Sequence, residues 1–254
     1  MTRLAALLVL AALWLWPPHR AVAATTTDYC AYGHQTTLLL VDRTTRFDAT
    51  DRSIFLDALN GVVERLGAGD RLVMFTMTAA YTESRKVFES CKPACPDENF
   101  FAELLATCRP VLARSDYRGF VDTLAHQLAD LLRNPEETPY SDLFRTVAET
   151  TRAETVGSQQ KLGTVILLSD LLENSQFLPE REFRAEPVAQ TLRRLQAADI
   201  RPSVAGAAIR VFGFGRDDSP ARIALPQDQR RRVAEVWTSW FRAAGAASVE
   251  IGFR

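Results

Sequence analysis

Residues 38–48 read LLLVDRTTRFD, and this stretch decides how the rest of the chain is interpreted. The stretch begins inside a short, continuous apolar run over residues 36–41. Such a run is typical of a strand buried on both faces of a mostly parallel sheet. The run stops at Asp42, and two threonines, two arginines and a second acid follow within six positions. We therefore expect a central strand whose carboxyl end carries a cluster of polar groups.

The sequence after this strand continues as an alternation of helices and strands. Apolar residues recur at helical spacing from Phe55 to Leu66, and Gly67 follows them as a stop signal. Residues 70–77, DRLVMFTM, then predict a second strand. Strand, helix and strand in this order form a βαβ unit, whose crossover should be right-handed.

Further segments repeat this alternation to the end of the chain. The remaining predicted strands are residues 85–89 at a sheet edge, 164–169, 208–214 and 248–253. The remaining predicted helices are residues 100–132 with a break near Ser115, 141–153, one that begins at Pro187, and one through 233–241. The order predicts a single α/β domain over residues 36–254, with a Rossmann-like, doubly wound, mostly parallel sheet and helices on both faces.

The first residues of the chain have the composition of a secretory signal. Arg3 precedes an apolar run over residues 4–16, and the small residues at 21–23 resemble a cleavage site. We expect residues 1–23 to be removed on export to the periplasm or the exterior, leaving residues 24–35 as a short N-terminal segment. The apolar run is shorter than the roughly 20 residues that span a bilayer, so a retained membrane anchor is the weaker alternative.

Four cysteines, Cys30, Cys91, Cys95 and Cys108, remain after that cleavage. An even number in an exported chain predicts two disulfide bonds, although four cysteines allow three pairings. The three later cysteines crowd one region, so at least one bond should staple it, with Cys30 tying the N-terminus to it. A four-thiolate zinc site is the alternative, but CKPAC has one residue more than the usual close pair of ligands.

Charge and motifs restrict the classes of function. The chain has 30 lysines and arginines, 31 aspartates and glutamates and a net charge of −1, which gives no reason to expect nucleic acid or an anionic membrane as partner. The Gly-x-Gly at residues 213–215 lacks the third glycine and following helix of a nucleotide-binding fingerprint. The sequence also lacks a Gly-x-Ser-x-Gly elbow and paired metal-binding histidines, so we assign no catalytic residue.

Acidic residues follow two of the apolar strands at the point where each strand ends. Asp42 follows the first strand and Asp170 follows the strand over residues 164–169. Ligands of open parallel sheets bind beyond the carboxyl ends of the strands, so we expect these carboxylates to meet there, beside the hydroxyls of Thr44 and Thr45. Two adjacent carboxylates repel each other unless they are protonated, hydrogen-bonded or bridged by a cation. An all-oxygen set of ligands suits Mg²⁺, Mn²⁺ or Ca²⁺ better than zinc.

This combination resembles the von Willebrand factor type A (VWA) family over nearly all of the mature chain. The LLLVD strand, the GAGDRLVMFTM segment and the ILLSD strand carry the resemblance. In that family an Asp-x-Ser-x-Ser loop, a threonine from a second loop and a late aspartate form a metal-ion-dependent adhesion site. The resemblance implies that Asp42, Thr44 and Asp170 hold a divalent cation, with Ser141 in the position of the threonine.

The candidate metal motif departs from the family pattern at two positions. Arg46 stands where the family has its second serine, and its guanidinium would oppose a divalent ion or pair with one of the carboxylates instead. Thr45 replaces the missing hydroxyl if the loop shifts by one residue, and Thr138 is a fallback for Ser141. A structural interpretation also stays open, in which Asp42 only caps its own turn and Ser141 only begins a helix.

We therefore expect an exported, VWA-like domain that binds another protein rather than transforming a substrate. The resemblance implies that a divalent cation, Mg²⁺ or else Mn²⁺ or Ca²⁺, engages an acidic group of the partner. Thr45 and Arg46 are the expected partner-binding residues, and Arg46 takes over the cation's role if no metal binds. A metal-dependent hydrolase and a structural component of an envelope assembly are the alternative functions.

Overall fold

The computed structural model describes residues 27–96, 108–136, 138–217, 219 and 221–252. The predicted signal sequence lies outside these described residues, as do residues 100–107 of the predicted helix over 100–132. The strands are β1 Gln35–Asp42, β2 Arg71–Met77, β3 Lys86–Cys91, β4 Lys161–Leu168, β5 Ala208–Phe212 and β6 Ser248–Ile251. The helices are α1 Ala49–Arg65, α2 Pro110–Arg133, α3 Leu143–Gly157, α4 Glu180–Ala185, α5 Val188–Ala197 and α6 Gln227–Ala243.

The six strands form one sheet in the order β3-β2-β1-β4-β5-β6. All neighbours are parallel except the edge strand β3, which runs antiparallel to β2. The order reverses direction on either side of β1, so β1 and β4 lie side by side where the two halves of the sheet meet. The predicted α/β class and the doubly wound, mostly parallel sheet are confirmed.

Residues 38–41 of strand β1 are all apolar because helices cover both faces of the sheet. Leu38 and Leu40 belong to the core that β1 shares with α3, α5 and α6, whereas Leu39 and Val41 belong to the core shared with α1 and α2. Successive side chains of a strand point to opposite faces, so a strand at the centre of a three-layer fold needs apolar residues at every position. The run LLLV satisfies this requirement.

Two helices differ from their predicted form. Helix α2 runs from Pro110 to Arg133 without the predicted break near Ser115, because Ser115 is exposed and leaves the buried face of the helix intact. Helix α3 begins at Leu143, two residues later than predicted. The delay arises because Ser141 pairs with Asn174 in an isolated β-bridge instead of starting the helix.

The four cysteines form two disulfide bonds, Cys30–Cys91 and Cys95–Cys108. The prediction of two disulfides is confirmed, and no cysteine is left to supply a zinc site. Two disulfides indicate that the protein folds in an oxidising compartment, as exported proteins do. Within the described ranges, no helix has the length and apolarity needed to cross a lipid bilayer.

Candidate functional site

The carboxyl ends of β1 and β4 bring the predicted acidic residues together. Val41 and Leu168 are register partners in this parallel pair, so the residues that follow them, Asp42 and Ser169, leave the sheet side by side. The Ser169 hydroxyl donates a hydrogen bond to Oδ2 of Asp42 over 2.7 Å, although 127 positions separate the two residues in the sequence. The strand ends therefore converge at the edge of the sheet where ligands of this architecture bind.

Asp42 is buried at the centre of a network of hydroxyl groups. Its Oδ1 accepts hydrogen bonds from the backbone N–H of Thr44 over 2.9 Å and from the Thr44 hydroxyl over 2.7 Å. Its Oδ2 accepts a further bond from the Thr45 hydroxyl over 3.1 Å. Asp42 thus caps the turn that follows β1, in the manner of aspartates after strands, and also forms part of the candidate site.

Ser141 reaches the same network from the segment before α3. Its hydroxyl oxygen lies 2.8 Å from that of Thr44, and paired backbone hydrogen bonds of 3.0 Å with Asn174 fix its position. Thr138, the fallback for Ser141, lines the same small pocket, but its hydroxyl accepts the backbone N–H of Tyr140. Of these two candidates, Ser141 is therefore the one whose hydroxyl bonds to Thr44 of the first loop.

Asp170 completes the pocket from the end of β4. Its Oδ1 accepts the backbone N–H of Leu172 over 2.9 Å, and the intervening Leu171 adopts a left-handed backbone with φ of 63°. A leucine rarely adopts that conformation, so neighbouring groups must hold it. The indole N–H of Trp237, a residue of the core, donates to the carbonyl of Leu171 over 3.0 Å and so helps to shape the site.

The two carboxylates have raised pKa values because the protein buries both of them. Burial raises the pKa of Asp42, although hydrogen bonds from Ser169, Thr44 and Thr45 oppose the shift. Burial and then the charge of Asp42 raise the pKa of Asp170 to about 7. A second negative charge in this pocket is therefore unfavourable near neutral pH unless a cation compensates it.

Arg46 does not supply that compensation. Its side chain is exposed, and it forms no salt bridge with any residue that the structure describes. The guanidinium beside Asp170 belongs to Arg222, whose Nη1 lies 3.6 Å from Oδ2 of Asp170. The suggestion that Arg46 pairs with one of the carboxylates is therefore wrong for this structure, because Arg46 points to solvent and Arg222 occupies that place.

Thr45 is also too deeply buried for its predicted role in partner binding. It is only 2% exposed, and its hydroxyl bonds to Asp42 rather than projecting from the surface. Its position matches the alternative in which Thr45 replaces the missing hydroxyl of the metal motif. Exposed residues of the pocket lining include Pro139 and Tyr140, and Arg46 is exposed in the loop that carries Thr44 and Thr45.

Comparison with known proteins adds little to this geometry. No family model matches the sequence, and no curated protein matches it. One similar solved structure is that of proximal thread matrix protein 1 (PTMP1) from the mussel byssus, with 12% sequence identity and a TM-score of 0.37. The similarity covers 89% of this chain but 43% of that one, so this chain spans less than half of its length. A likeness at that level supports no argument about function.

The oxygen atoms around the pocket fit a hard divalent cation. The pocket has a volume of about 30 Å³, enough for a water-sized group, and its lining includes Thr44, Thr45, Ser141 and Asp170. Carboxylate and hydroxyl oxygens are the ligands that Mg²⁺, Mn²⁺ and Ca²⁺ prefer. Among the described residues no group of three or more His, Cys, Asp and Glu side chains is arranged to hold a metal, so any ion here would depend on the hydroxyls.

The sequence did not reveal three residues that shape the site. Ser169 precedes Asp170 in ILLSD. Its position directly after β4, beside Asp42 at the end of β1, is the feature from which it could have been predicted. Glu173 fixes the start of α3, because its Oε2 accepts the backbone N–H groups of Leu143 and Phe144 over 2.8 and 3.1 Å. Arg222 lies in an irregular loop 52 positions after Asp170, and no sequence pattern connects it to the site.

Proposed function

We propose that this protein is an exported domain of VWA type that binds another protein at the carboxyl edge of its sheet. The observation that carries the proposal is the convergence of Asp42, Thr44, Ser141 and Asp170. Three separate segments supply these residues: hydrogen bonds join Asp42, Thr44 and Ser141, and Asp170 lines the same pocket as Thr44 and Ser141. Burying two adjacent acids costs stability, so a site that retains them indicates a role beyond packing.

In this proposal Asp42, Thr44, Ser141 and Asp170 hold a divalent cation, with Thr45 as an additional hydroxyl. Bound there, Mg²⁺, Mn²⁺ or Ca²⁺ would supply a positive charge to which an acidic side chain of the partner can attach. The Oδ2 atom of Asp170 supports this role, because its nearest described cation, Arg222, stays beyond hydrogen-bonding distance at 3.6 Å. That oxygen is the carboxylate atom of the site best able to accept a new ligand.

The surface around the pocket supports binding of a protein partner. Tyr140 is 52% exposed, Ile223 is 60% exposed and Arg46 is exposed, and all three belong to loops near the carboxyl edge of the sheet. Tyrosine and arginine are enriched among the residues that dominate binding energy in protein interfaces. We assign Arg46 to recognition of acidic groups on the partner, as the sequence suggested, but at the rim rather than within the pocket.

The proposed location is the periplasm or the cell exterior, and the proposed activity is binding without catalysis. The two disulfide bonds support export. The near-neutral net charge gives no support for nucleic acid as a partner. Turnover of phosphate or carboxylate esters that a chelator abolishes would instead favour the metal-dependent hydrolase.

A metal titration tests the cation-binding part of the proposal. We expect Mn²⁺ or Mg²⁺ at millimolar concentration to raise the Tm of the mature protein, because a ligand that binds only the folded state must stabilise it. Asp170→Asn should abolish the shift. Asp116→Asn should preserve it, because Asp116 lies on α2 and bonds to Tyr29 near the opposite edge of the sheet.

A partner-capture experiment tests the binding part. The mature protein should retain a protein from an envelope extract in the presence of Mn²⁺, and Asp42→Asn should lose it. Retention by the wild type that is insensitive to chelator, with loss on Arg46→Ala, would show that the arginine acts without metal. Equal capture by all three proteins would contradict the assignment of this surface.

A further inference from the structure

Arg222 is a buried arginine in an unusual backbone conformation. Its φ is 46°, which places a residue other than glycine in the left-handed region, and only 1% of its side chain is exposed. Conformations of this kind persist only where surrounding contacts determine them, and they concentrate at functional sites. The loop after β5 supplies those contacts, with backbone hydrogen bonds of 2.8 Å from Asp217 to Ile223 and 3.0 Å from Leu225 to Gly215.

The guanidinium of Arg222 is fixed by contacts on every side. Nη1 donates to the carbonyl of Asp217 over 2.5 Å, and Nη2 donates to the carbonyl of Gly213 over 3.3 Å. Nε lies 3.2 Å from Oδ2 of Asp51, and the group sits over the ring of Phe47 with 5.8 Å to its centroid. These contacts direct Nη1 towards Asp170 from a rigid support.

The acids around Arg222 differ in the number of positively charged partners that they have. Asp51 also pairs with Arg216, which bonds to Asp48 over 2.6 Å as well. Asp170 has no other described cation within salt-bridge distance, and Asp42 has none among the described residues. Among the described residues, Arg222 is therefore the positive charge nearest to the site carboxylates and reaches them at Asp170, while Asp51 retains a second partner.

The net charge of the pocket determines how Arg222 would affect the binding of a divalent ion. One guanidinium beside two carboxylates leaves the pocket with a net negative charge. A divalent cation then makes it net positive, whereas a pocket without Arg222 would become neutral. The fixed guanidinium opposes the incoming ion, because like charges repel strongly at short distance in a buried site. It also leaves the loaded pocket with a positive charge that favours an acidic ligand.

We propose that Arg222 is the built-in cation of the Asp42–Asp170 pair, and that it weakens divalent-ion binding in exchange for selectivity towards acidic partner groups. The proposal rests on the function proposed above and adds the residue that sets the affinity. Arg222 acts as a positioning residue, because among its contacts with described residues only that with Asp170 reaches the pocket.

Direct binding of Mn²⁺ to the mature protein tests this proposal. Water-proton relaxation measures the Kd of the free ion, and a thermal titration supplies a second reading on the same samples. Arg222→Gln should bind Mn²⁺ at least about tenfold more tightly than the wild type, since an adjacent charge shifts such equilibria by an order of magnitude or more. Arg222→Lys keeps the positive charge and should restore a Kd close to that of the wild type.

Two further variants separate this effect from general loss of stability. Arg71→Gln removes a half-buried arginine that bonds to Glu154 over 2.6 Å at the start of β2, on the opposite edge of the sheet, and should leave the Mn²⁺ affinity unchanged. If Arg222→Gln does not fold, Asp51→Asn with Arg222→Met removes both charges together and should show the same tightening.

The outcomes distinguish this inference from the function on which it rests. Equal Kd values for wild type and both neutral variants would overturn the role of Arg222 and leave the metal site intact. Binding by the neutral variants alone would support the role of Arg222 and overturn metal-dependent function in the wild type. Absence of binding in every protein would overturn both proposals.

Discussion

Glu173 is an acid that the fold buries completely and uses as the cap of a helix. One oxygen, Oε2, accepts the backbone N–H groups of Leu143 and Phe144 at the start of α3. The other, Oε1, is buried and forms no hydrogen bond with any described residue. Burial raises the pKa of this carboxyl from its ordinary value of 4.5 to about 8, so the unpaired oxygen carries a proton at neutral pH.

The raised pKa of Glu173 predicts how stability changes with pH. Between the ordinary pKa of 4.5 and the folded value of about 8, the folded state holds a proton that the unfolded state has lost. The free energy of unfolding should therefore fall as the pH rises through this window, by up to about 1.4 kcal/mol per pH unit. Asp170, with its pKa near 7, contributes in the same direction only below that value. Urea unfolding at pH 5, 7 and 8 measures the slope.

Substitution of Glu173 isolates its share of this slope. Glu173→Gln keeps an oxygen for the two N–H groups of α3 but cannot ionise, so it should flatten the decline between pH 7 and 8. Glu173→Ala removes the acceptor as well and should lower stability at every pH, by about 1–3 kcal/mol. An unchanged slope in the glutamine variant would show that another group titrates in this range.

At the level of whole elements, helix α2 and the turn after β5 each contain a glycine, but only the turn requires glycine at its position. Gly119 lies on the exposed face of α2, and an added Cβ would meet nothing within 4 Å. Gly213 has φ of +88°, and an added Cβ would lie 2.8 Å from the ring of Phe55. Gly213 also presents its carbonyl to Arg222, so its turn is part of the support for the candidate site.

Alanine substitution of these two glycines should therefore change stability in opposite directions. Gly119→Ala should stabilise the protein by about 0.5–1 kcal/mol, because alanine loses less backbone entropy than glycine in a helix. Gly213→Ala should destabilise it by about 1–3 kcal/mol through strain at positive φ and the clash with Phe55. Urea unfolding of both variants beside the wild type checks the signs, and destabilisation by Gly119→Ala would mean that the exposed face of α2 has a partner.

For the molecule as a whole, the features that depend on strand order and burial could be predicted from the sequence. The run LLLV identified β1 as a central strand, because only a strand covered on both faces is apolar at every position. The position of Asp42 directly after this run, and of Asp170 after β4, then predicted that both would lie at one edge of a parallel sheet. Ser141 was found through the VWA resemblance rather than through its own local pattern.

The sequence did not predict contacts that depend on how irregular loops fold. Pairing of Arg46 with a carboxylate was suggested because Arg46 stands at the second serine position of the family motif, whereas Arg222 reaches Asp170 from a loop that contains left-handed residues. Glu173 has no neighbour pattern that marks it as a cap for α3, since the helix it caps begins 30 positions earlier. Spacing along a chain predicts regular elements, but it does not specify which loop supplies the compensating charge at a site.

The two disulfide bonds should contribute unequally to the stability of the whole protein. Cys30–Cys91 joins residues 61 positions apart, whereas Cys95–Cys108 joins residues 13 apart. A cross-link restricts the unfolded chain more when it closes a longer loop, which predicts losses of about 4 and about 3 kcal/mol respectively when each bond is removed. The longer bond also anchors the segment before β1, where the backbone N–H groups of His34 and of Gln35, the first residue of β1, donate to Asp70.

Paired substitution of each disulfide by alanine tests this difference. Cys30→Ala with Cys91→Ala should lower the free energy of unfolding more than Cys95→Ala with Cys108→Ala, as measured by urea unfolding under non-reducing conditions. Neither pair should alter the Mn²⁺ affinity of the folded protein, because the bonded cysteines lie outside the carboxyl-edge pocket. A larger loss from the shorter bond would show that its contribution comes from native contacts around Cys95 and Cys108 rather than from restriction of the unfolded chain.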